Sequence, residues 1–433
     1  MSTPIFIAGL DKPQICYGEA QSNCPPSPQF WGNKNFQSFP ELGDLGGKPF
    51  GWKRIVFGIP MENLAQPSHG GNLRWAAQIS QRDPSQILDF SASISPLGCP
   101  KSVLERLKSD ETLNTISRYP DPSYTLLREA IAAHHHISPD YILVGNGAAE
   151  LLTWLCRDLA RFASVFLGVP AFGDYLRGLK AFNAQIIPID WWQRGDRALA
   201  LQTLNRALNQ TLNSVGTTGN SRSRGILLNN PHNPTGQLYT REELLPLLEQ
   251  FELVAIDEAF MDFLPPETSQ SLIDRVESSP NLVILRSLTK FYSMPGLRIG
   301  YAIAHPQRLQ TWQAWRDPWS VNCLAEIAAI ACLQDREFQQ KTWDWLAKER
   351  SHLYADLSNI VGLHPIAGAA NFLLVESERS VLALQEHLLK QDGILIRDCH
   401  SFAELGDRYF RVCVKLPADR ERLIKGIEGF MEG

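Results

Sequence analysis

The sequence has no long hydrophobic run, no long basic run and no C-x-x-C pair of cysteines. Its longest apolar runs have the length of a strand, so we expect neither a secretory signal nor a transmembrane helix. A net charge of −5 without a basic run argues against nucleic acid or an anionic membrane as a partner. The eight cysteines are scattered, as is typical of reduced thiols rather than of disulfides or a metal site. We therefore expect a cytoplasmic protein without a metal.

The chain is long enough for two domains and apolar enough for a sizeable core, with 433 residues of which 44% are hydrophobic and 20% charged. Residues 1–65 differ from the rest. They contain Cys24-Pro25-Pro26-Ser27-Pro28 and sustain neither a helical nor an alternating apolar pattern. We predict that this extension is peripheral or poorly ordered.

Short apolar runs rich in branched residues alternate with amphipathic stretches from about Leu126 to Ile303. This alternation predicts an α/β fold with a mainly parallel sheet whose strands are buried on both faces. The strand candidates are Tyr141–Val144, Ser164–Leu167, Gln185–Ile189, Gly225–Leu228, Leu253–Ile256 and Leu282–Leu285.

Helices are predicted for Glu150–Arg161, for Arg241–Gln250 with Thr240 as its cap, and from Asn322 to about Leu357. The polar segment from Leu208 to Arg224 predicts a mobile surface loop.

Lys290 stands at the centre of the chemistry that the sequence predicts. Asn233-Pro234-Thr235-Gly236 and Asp257-Glu258-Ala259-Phe260 precede it, and Arg298 follows eight residues later. Pyridoxal 5′-phosphate (PLP) needs an amine that bonds to its aldehyde, an anion that keeps its pyridine nitrogen protonated, and cations or hydroxyls around its phosphate. A lone lysine is usually a solvated surface residue, but an amide, a carboxylate, a lysine and a guanidinium in this order predict PLP as the cofactor.

Three residues are candidates for contacts with the PLP ring. Asp257 closes an apolar strand, at the end of the strand where open α/β sheets place ligands, and would pair with the pyridine nitrogen. Asn233 could hydrogen-bond the phenolic oxygen. Phe172 offers a face for stacking on the ring, although an isolated aromatic residue is more often plain core.

The phosphate of the cofactor has its own candidate residues. Gly147, Ala148 and Ala149 follow a strand candidate and open a helix, so that backbone N–H groups can face a phosphate. A tight strand-to-helix turn explains this motif about as well. The remaining phosphate partners would be Ser287, Thr289 and Arg298.

Further motifs extend the pattern beyond the cofactor: His69-Gly70-Gly71-Asn72, Asp89-Phe90-Ser91-Ala92, Tyr119-Pro120-Asp121, Pro318-Trp319-Ser320-Val321-Asn322 and Ile394-Leu395-Ile396-Arg397-Asp398-Cys399. With these motifs the chain, from about Ser68 to its C-terminus, resembles the fold-type I PLP-dependent aminotransferases. Within them it is most similar to the histidinol-phosphate aminotransferase branch, and there to the threonine-phosphate decarboxylases.

The resemblance implies a role for each of these residues toward the cofactor. Lys290 bonds covalently to it, Asp257 pairs with its pyridine nitrogen and Asn233 contacts its phenolic oxygen. Tyr119 reaches the cofactor phosphate of the neighbouring subunit, so the active form is expected to be a homodimer.

The resemblance also implies a substrate site for a small phosphorylated amino acid. Arg411 and Arg397 match two substrate-binding arginines, with Asn233 beside them. His69 and Ser93 match residues near the substrate phosphate. Each arginine taken alone would more often be a solvated surface residue.

The activity that the resemblance implies is decarboxylation of L-threonine O-3-phosphate to (R)-1-amino-2-propanol O-2-phosphate, which supplies the aminopropanol linker in cobalamin biosynthesis. Phe260, where aminotransferases of this branch usually carry tyrosine, favours the decarboxylase. Ser93 and Ser95, where the decarboxylases generally carry asparagine, weaken the match of the phosphate pocket.

Two alternatives remain open. Histidinol-phosphate aminotransferase shares the fold, the cofactor and a phosphorylated substrate. A PLP-binding regulator is disfavoured, because Lys290 is present and no DNA-binding module is attached.

The resemblance implies a domain order after the extension. Residues 66–120 are expected to form an arm that contributes to the small domain and to the dimer contact. Residues 121–320 form the large PLP-binding domain, and residues 321–433 a linking helix and a small C-terminal α+β domain.

Overall fold

The structure is a computed structural model that describes residues 67, 69–193, 196–214 and 223–433. The chain divides into two units, and all the described residues belong to the second, Glu62–Gly433. The predicted extension over residues 1–65 lies outside the described residues.

The strands in the described residues are numbered in chain order. They are β1 (Leu88–Asp89), β2 (Ile142–Asn146), β3 (Ser164–Val169), β4 (Ile186–Asp190), β5 (Arg224–Asn229), β6 (Leu253–Asp257), β7 (Leu282–Ser287), β8 (Ile299–Ala304), β9 (Leu363–Ile366), β10 (Phe372–Ser377), β11 (Ile394–Leu395), β12 (Arg397–Asp398) and β13 (Tyr409–Cys413).

The helices are numbered in the same way. They are α1 (Leu73–Ser80), α2 (Lys101–Leu107), α3 (Asp110–Leu113), α4 (Thr125–His135), α5 (Ala148–Leu159), α6 (Gly173–Ala181), α7 (Arg197–Ser214), α8 (Arg241–Leu244), α9 (Leu247–Gln250), α10 (Leu288–Phe291), α11 (Pro306–Gln313), α12 (Cys323–Gln334), α13 (Arg336–Ser358), α14 (Val381–Asp392) and α15 (Pro417–Glu432). Single 3₁₀ turns lie at Pro84–Gln86, Asn114–Ser117, Pro139–Tyr141, Met261–Phe263, Pro266–Thr268, Ile273–Arg275, Pro295–Leu297 and Gly406–Arg408. Within the described ranges, no helix combines the length and the apolar character that a membrane span requires.

A seven-stranded sheet in the order β2-β8-β7-β6-β5-β3-β4 forms the centre of the fold. All its strands run parallel except β8, which is antiparallel to both of its neighbours. Six of the strands are the predicted ones, each within two residues of the predicted bounds. The predicted α/β class with a mainly parallel sheet is confirmed. Strand β8 is not among the predicted strands.

Two of the predicted helices lie where they were expected, but each is divided into two shorter helices. The helix predicted from Asn322 is two helices, because Asp335 ends α12 and its Oδ1 accepts the Phe338 N–H at 2.9 Å as the cap of α13. Thr240 caps α8, as predicted, but Pro246 stands between α8 and α9 and has no N–H to continue the helix.

The predicted loop from Leu208 to Arg224 is wrong for residues 208–214, because α7 continues to Ser214. Leu204 and Leu208 are buried four residues apart, so the helix keeps an apolar stripe beneath its polar surface. Residues 215–222 lie outside the described residues, and β5 begins at Arg224.

A second sheet, in the antiparallel order β12-β13-β10-β9, lies in the C-terminal part of the chain. Arg397 in β12 is directly opposite Arg411 in β13. Residues opposite each other across an antiparallel pair project from the same face, so this register directs both arginines to one side of the sheet.

A buried ion-pair network lies under the end of the central sheet. Arg286 in β7 pairs with Glu258 at 2.9 Å and also with Asp262, and Glu258 is fully buried. Burial raises the pKa of Glu258, while the charge of Arg286 opposes that rise. Arg286 thus provides the counter-charge for two carboxylates in the interior.

We predict that Arg286→Met lowers the free energy of unfolding by about 3–5 kcal/mol, because Glu258 and Asp262 would lose their buried counter-charge. Lys390→Met is the control. It removes an exposed pair with Glu386 on one helix face and should cost less than about 0.5 kcal/mol. Urea unfolding followed by tryptophan fluorescence measures both variants, and equal midpoints would contradict the prediction.

Candidate active site

A cavity of about 420 Å³ lies at the carboxyl edge of the central sheet, with one wall from the four-stranded sheet and another from the segment around His69. Nine of the residues singled out from the sequence line it: His69, Ser93, Phe172, Asn233, Asp257, Lys290, Arg298, Arg397 and Arg411.

Asp257 is the last residue of β6 and is only 8% exposed. Its Oδ2 accepts the Tyr175 hydroxyl at 2.7 Å, and its Oδ1 accepts the Ala259 N–H at 2.9 Å. Burial raises the pKa of Asp257, while these two hydrogen bonds and the charge of Lys290 oppose the rise. The carboxylate is therefore held in a fixed orientation and is suited to a cationic partner inside the cavity.

Tyr175 is a site residue that the sequence motifs did not reveal. It lies on α6, which begins directly after Phe172, and its ring packs edge-to-face against that of Phe172 at 5.5 Å. Burial first, and then the charge of Asp257, raise the pKa of Tyr175 well above its ordinary value. The hydroxyl thus remains a neutral donor to Asp257.

Lys290 lies on the short helix α10 that follows β7. Burial lowers the pKa of its ammonium group; Asp257 opposes this, and the cations of Arg411 and Arg298 add to it. Within the described part of the chain its amino group makes no hydrogen bond or ion pair; it lies 5.2 Å from the centroid of the Phe260 ring. This is an amine free to react.

Gly147 and Arg298 form a close-fitting cradle at the N-terminus of α5. Gly147 has a φ of +76°, and a Cβ at this position would lie 2.4 Å from Nη2 of Arg298. The guanidinium therefore rests against the backbone where Ala148 and Ala149 begin the helix and leave N–H groups without helical partners. A phosphate is the ligand that such an arrangement suits.

Some predicted residues do not line the cavity. Ser287 and Thr289 are buried, and their hydroxyls bond to each other at 2.8 Å. Tyr119 is 80% exposed, and its ring packs 4.7 Å from that of Trp319.

The two arginines of the four-stranded sheet differ in whether a carboxylate lies close to the guanidinium. Arg397 lies 3.6 Å from the carboxylate of Asp398. Arg411 donates only to neutral oxygens, namely Oδ1 of Asn233 and the carbonyl of Ser91, and no carboxylate in the described residues forms an ion pair with it. Burial lowers the pKa of Arg411 to about 10. A buried guanidinium that forms no ion pair is suited to bind an anion.

Asn233 is oriented by this contact. A guanidinium only donates hydrogen bonds, so its partner must be the side-chain oxygen of Asn233. This leaves the amide NH₂ group at Nδ2 to donate to a ligand. The backbone N–H of Asn233 in turn donates to Oδ1 of Asn229 at 2.6 Å.

His69 and Ser93 lie at the same cavity. His69 is 3.8 Å from the carboxylate of Asp174, which the sequence motifs missed, and its ring lies 5.5 Å from that of Phe172. Ser93 is 4% exposed, and its buried hydroxyl has no hydrogen-bond partner in the described residues. A buried hydroxyl without a partner is consistent with a ligand that completes its bonding.

The residues present fit PLP. Lys290 would supply the amine, Asp257 the anion for the pyridine nitrogen, and Arg298 with the start of α5 the phosphate cradle. No group of three or more histidine, cysteine, aspartate or glutamate side chains suited to a metal ion occurs in the ranges that the structure describes.

A lysine and an aspartate at the carboxyl edge of a mainly parallel sheet, with a phosphate cradle beside them, define a PLP-dependent enzyme. The chain belongs to the aminotransferase class I and II family, whose model matches residues 85–427. The resemblance drawn from the sequence and the predicted cofactor are both confirmed.

Known proteins similar to this chain include the threonine-phosphate decarboxylase of Salmonella typhimurium, 37% identical over 86% of this chain and 98% of the relative. The adenosylcobalamin biosynthesis bifunctional protein CobDQ of Leptospira interrogans is 28% identical over 85% of this chain and 41% of its own length. Among solved structures, the histidinol-phosphate aminotransferase of Clostridium acetobutylicum is 28% identical with a TM-score of 0.71, covering 80% of this chain and 99% of that chain.

We predict that Tyr175→Phe moves the acid limb of the pH–kcat/KM profile to higher pH by about one unit. As the expected ionised partner of the cofactor nitrogen, Asp257 would work above its pKa. Loss of the Tyr175 hydroxyl donor would raise that pKa further. Tyr239→Phe removes an equally buried hydroxyl bond, to the Trp191 carbonyl at 2.9 Å, and should leave the profile unchanged. An acid limb that does not move in the Tyr175 variant would refute the prediction.

Proposed function

We propose that the enzyme decarboxylates L-threonine O-3-phosphate to (R)-1-amino-2-propanol O-2-phosphate, the precursor of the aminopropanol linker of cobalamin. The observation that carries this proposal is the convergence of Arg397 and Arg411, opposite each other in β12 and β13, on the cavity that contains Lys290. A short substrate brings a carboxylate and a phosphate within a few bonds of each other, so it needs closely spaced cations.

The residues of the cavity divide between the two anions. Arg411, which has no carboxylate partner of its own in the described residues, would bind the substrate carboxylate, with the Asn233 amide beside it. His69, Ser93 and Arg397 would bind the substrate phosphate.

The choice of bond broken at Cα depends on orientation. PLP, when bound, supplies the electron-accepting ring that stabilises the charge left at Cα. Arg411 would bind the substrate carboxylate and fix its orientation at Cα, and this orientation would favour loss of CO₂ over loss of a proton. Lys290 would then return a proton to Cα.

Two further observations support the decarboxylase over histidinol-phosphate aminotransferase. Phe260 lies beside Lys290 and offers no hydroxyl to the cofactor. The relative with 37% identity is named a decarboxylase, whereas the aminotransferase structure is 28% identical. Histidinol phosphate also has no carboxylate for Arg411 to bind.

The experiment is to incubate the holoenzyme with phosphothreonine, without a keto acid, and to measure CO₂. We expect stoichiometric CO₂ from the wild type and none above background from Lys290→Ala, which loses the amine that anchors the cofactor and moves the proton. Circular dichroism checks that the variant is folded. Amino transfer from histidinol phosphate to 2-oxoglutarate, with no CO₂ from phosphothreonine, would establish the alternative.

We also propose that the active unit is a cytoplasmic homodimer in which Tyr119 donates a hydrogen bond to the partner's cofactor phosphate. The described cysteines are all free, as expected in a reducing compartment. Leu113, Ile116 and Leu126, which lie within seven residues of Tyr119 in the sequence, are exposed, and so is Trp319, whose ring packs against that of Tyr119. Their exposure favours a second subunit that covers them.

We propose the domain order in the same way: an arm over residues 66–120, the large domain over 121–320 and the small domain over 321–433.

We predict that Tyr119→Phe stays dimeric in sedimentation but binds PLP roughly tenfold more weakly, since a hydrogen bond to a charged group is lost. Tyr354→Phe, on the exposed side of α13, is the control. Mixed dimers of Tyr119→Phe and Lys290→Ala subunits should contain one complete site and regain activity at limiting PLP. Failure of the mixture to regain activity would show that Tyr119 does not act across the interface.

A further inference from the structure

The guanidinium of Arg411 is fixed by one contact that is not a hydrogen bond. Its Cζ lies 4.7 Å from the centroid of the Phe372 ring, within the range of a cation–π interaction. Arg411 is 8% exposed and Phe372 is fully buried, so little water screens this contact. Nε of Arg411 has no hydrogen-bond partner in the described residues. The ring face is therefore the electron-rich group that offsets the burial of this charge.

The sheet register explains why the two side chains meet. Leu374 in β10 is directly opposite Arg411 in β13, and Phe372 is two residues from Leu374 on the same strand. Side chains two residues apart point to one face of a strand, which makes Phe372 a diagonal neighbour of Arg411. Phe372 does not line the cavity, so it acts on a ligand through residues that do, and Arg411 is the charged one among those it contacts.

Phe372 is also connected, through the ring of Phe260, to the amine of Lys290. The ring of Phe260 lies 5.0 Å from that of Phe372 in an edge-to-face arrangement at 81°. The Lys290 amine lies 5.2 Å from the Phe260 centroid. Two packed rings thus connect the Arg411 guanidinium, which lies against one, to the Lys290 amine, which lies near the other.

We propose that Phe372 is a positioning residue whose ring fixes the plane of the Arg411 guanidinium, and so fixes where the substrate carboxylate lies relative to Lys290. This inference rests on the proposed function, because it gives Arg411 a carboxylate to bind. It goes further by assigning the orientation of that carboxylate to a residue outside the cavity.

The test compares two ligands that differ at one group. 3-Phosphoglycerate carries a phosphate and a carboxylate but no amine, so it binds without reacting. Glycerol 3-phosphate has a hydroxymethyl group in place of the carboxylate. Calorimetry on the holoenzyme gives the dissociation constant of each ligand for the wild type, for Phe372→Leu and for Phe410→Leu. Phe410 is as deeply buried as Phe372, and its side chain projects from the opposite face of β13 to that of Arg411.

Phe372→Leu should raise the dissociation constant of 3-phosphoglycerate roughly tenfold, as expected for loss of a desolvated cation–π contact. It should change the dissociation constant of glycerol 3-phosphate by less than about twofold. Phe410→Leu should leave the ratio of the two constants unchanged. Phe372→Met, which keeps the bulk without the ring face, repeats the test if the leucine variant does not fold. Equal weakening of both ligands, or of neither, would overturn the proposal.

The CO₂ assay on the wild type separates this inference from the proposed function. If the wild type releases CO₂ but Phe372→Leu binds 3-phosphoglycerate as tightly as the wild type does, the role of Phe372 is refuted and the proposed reaction stands. If the wild type releases no CO₂, the proposed reaction is refuted. The comparison of the two ligands still shows whether Phe372 supports carboxylate binding.

Discussion

Strands β5 and β6 end side by side, with Asn229 opposite Asp257, and the floor of the cavity depends on that register. The Asn229 side chain donates to the Asp257 carbonyl at 2.7 Å and accepts the N–H of Asn233. One amide side chain therefore links the backbone of Asp257 to the backbone of Asn233 and holds these two cavity residues at a fixed spacing. Lys290 follows the end of the next strand, β7. A slip in register would displace all of these groups together.

The neighbours Asp257 and Glu258 show how the fold divides two adjacent carboxylates. Glu258 is bound by Arg286 in the interior, whereas Asp257 faces the cavity with Tyr175 as its donor. The arginines that line the cavity outnumber its carboxylates and are Arg298, Arg397 and Arg411. A chain with a net charge of −5 thus concentrates positive charge where a phosphorylated substrate would bind.

The same cavity could serve several PLP reactions, since the cofactor brings the electron-accepting ring to all of them. What distinguishes them is the geometry around Cα, which in the proposed reaction depends on Arg411 and on the groups that hold it. Asn233, the Ser91 carbonyl and the Phe372 ring contact the guanidinium from different elements. Its orientation is a property of the packed four-stranded sheet and of the loop that faces it.

The sequence by itself determined the fold class and the cofactor, because both rest on local signals. Short apolar strands at regular intervals predict the parallel sheet, and Lys290 with Asp257 and Asn233 is a combination that few other sites require. The same local reasoning failed where the chain supplied a competing local signal, as at Asp335, which caps a new helix, and in α7, whose apolar stripe lies beneath polar residues.

Only the tertiary structure decided which distant residues meet. Tyr175 contacts Asp257 across 82 positions, Arg286 neutralises Glu258, and Phe372 lies against Arg411. Strand β8 enters the sheet antiparallel between β2 and β7, a placement that its own residues do not specify. Such contacts follow from strand order and register, which depend on the free energy of the whole packed core and not on any segment of the chain taken alone.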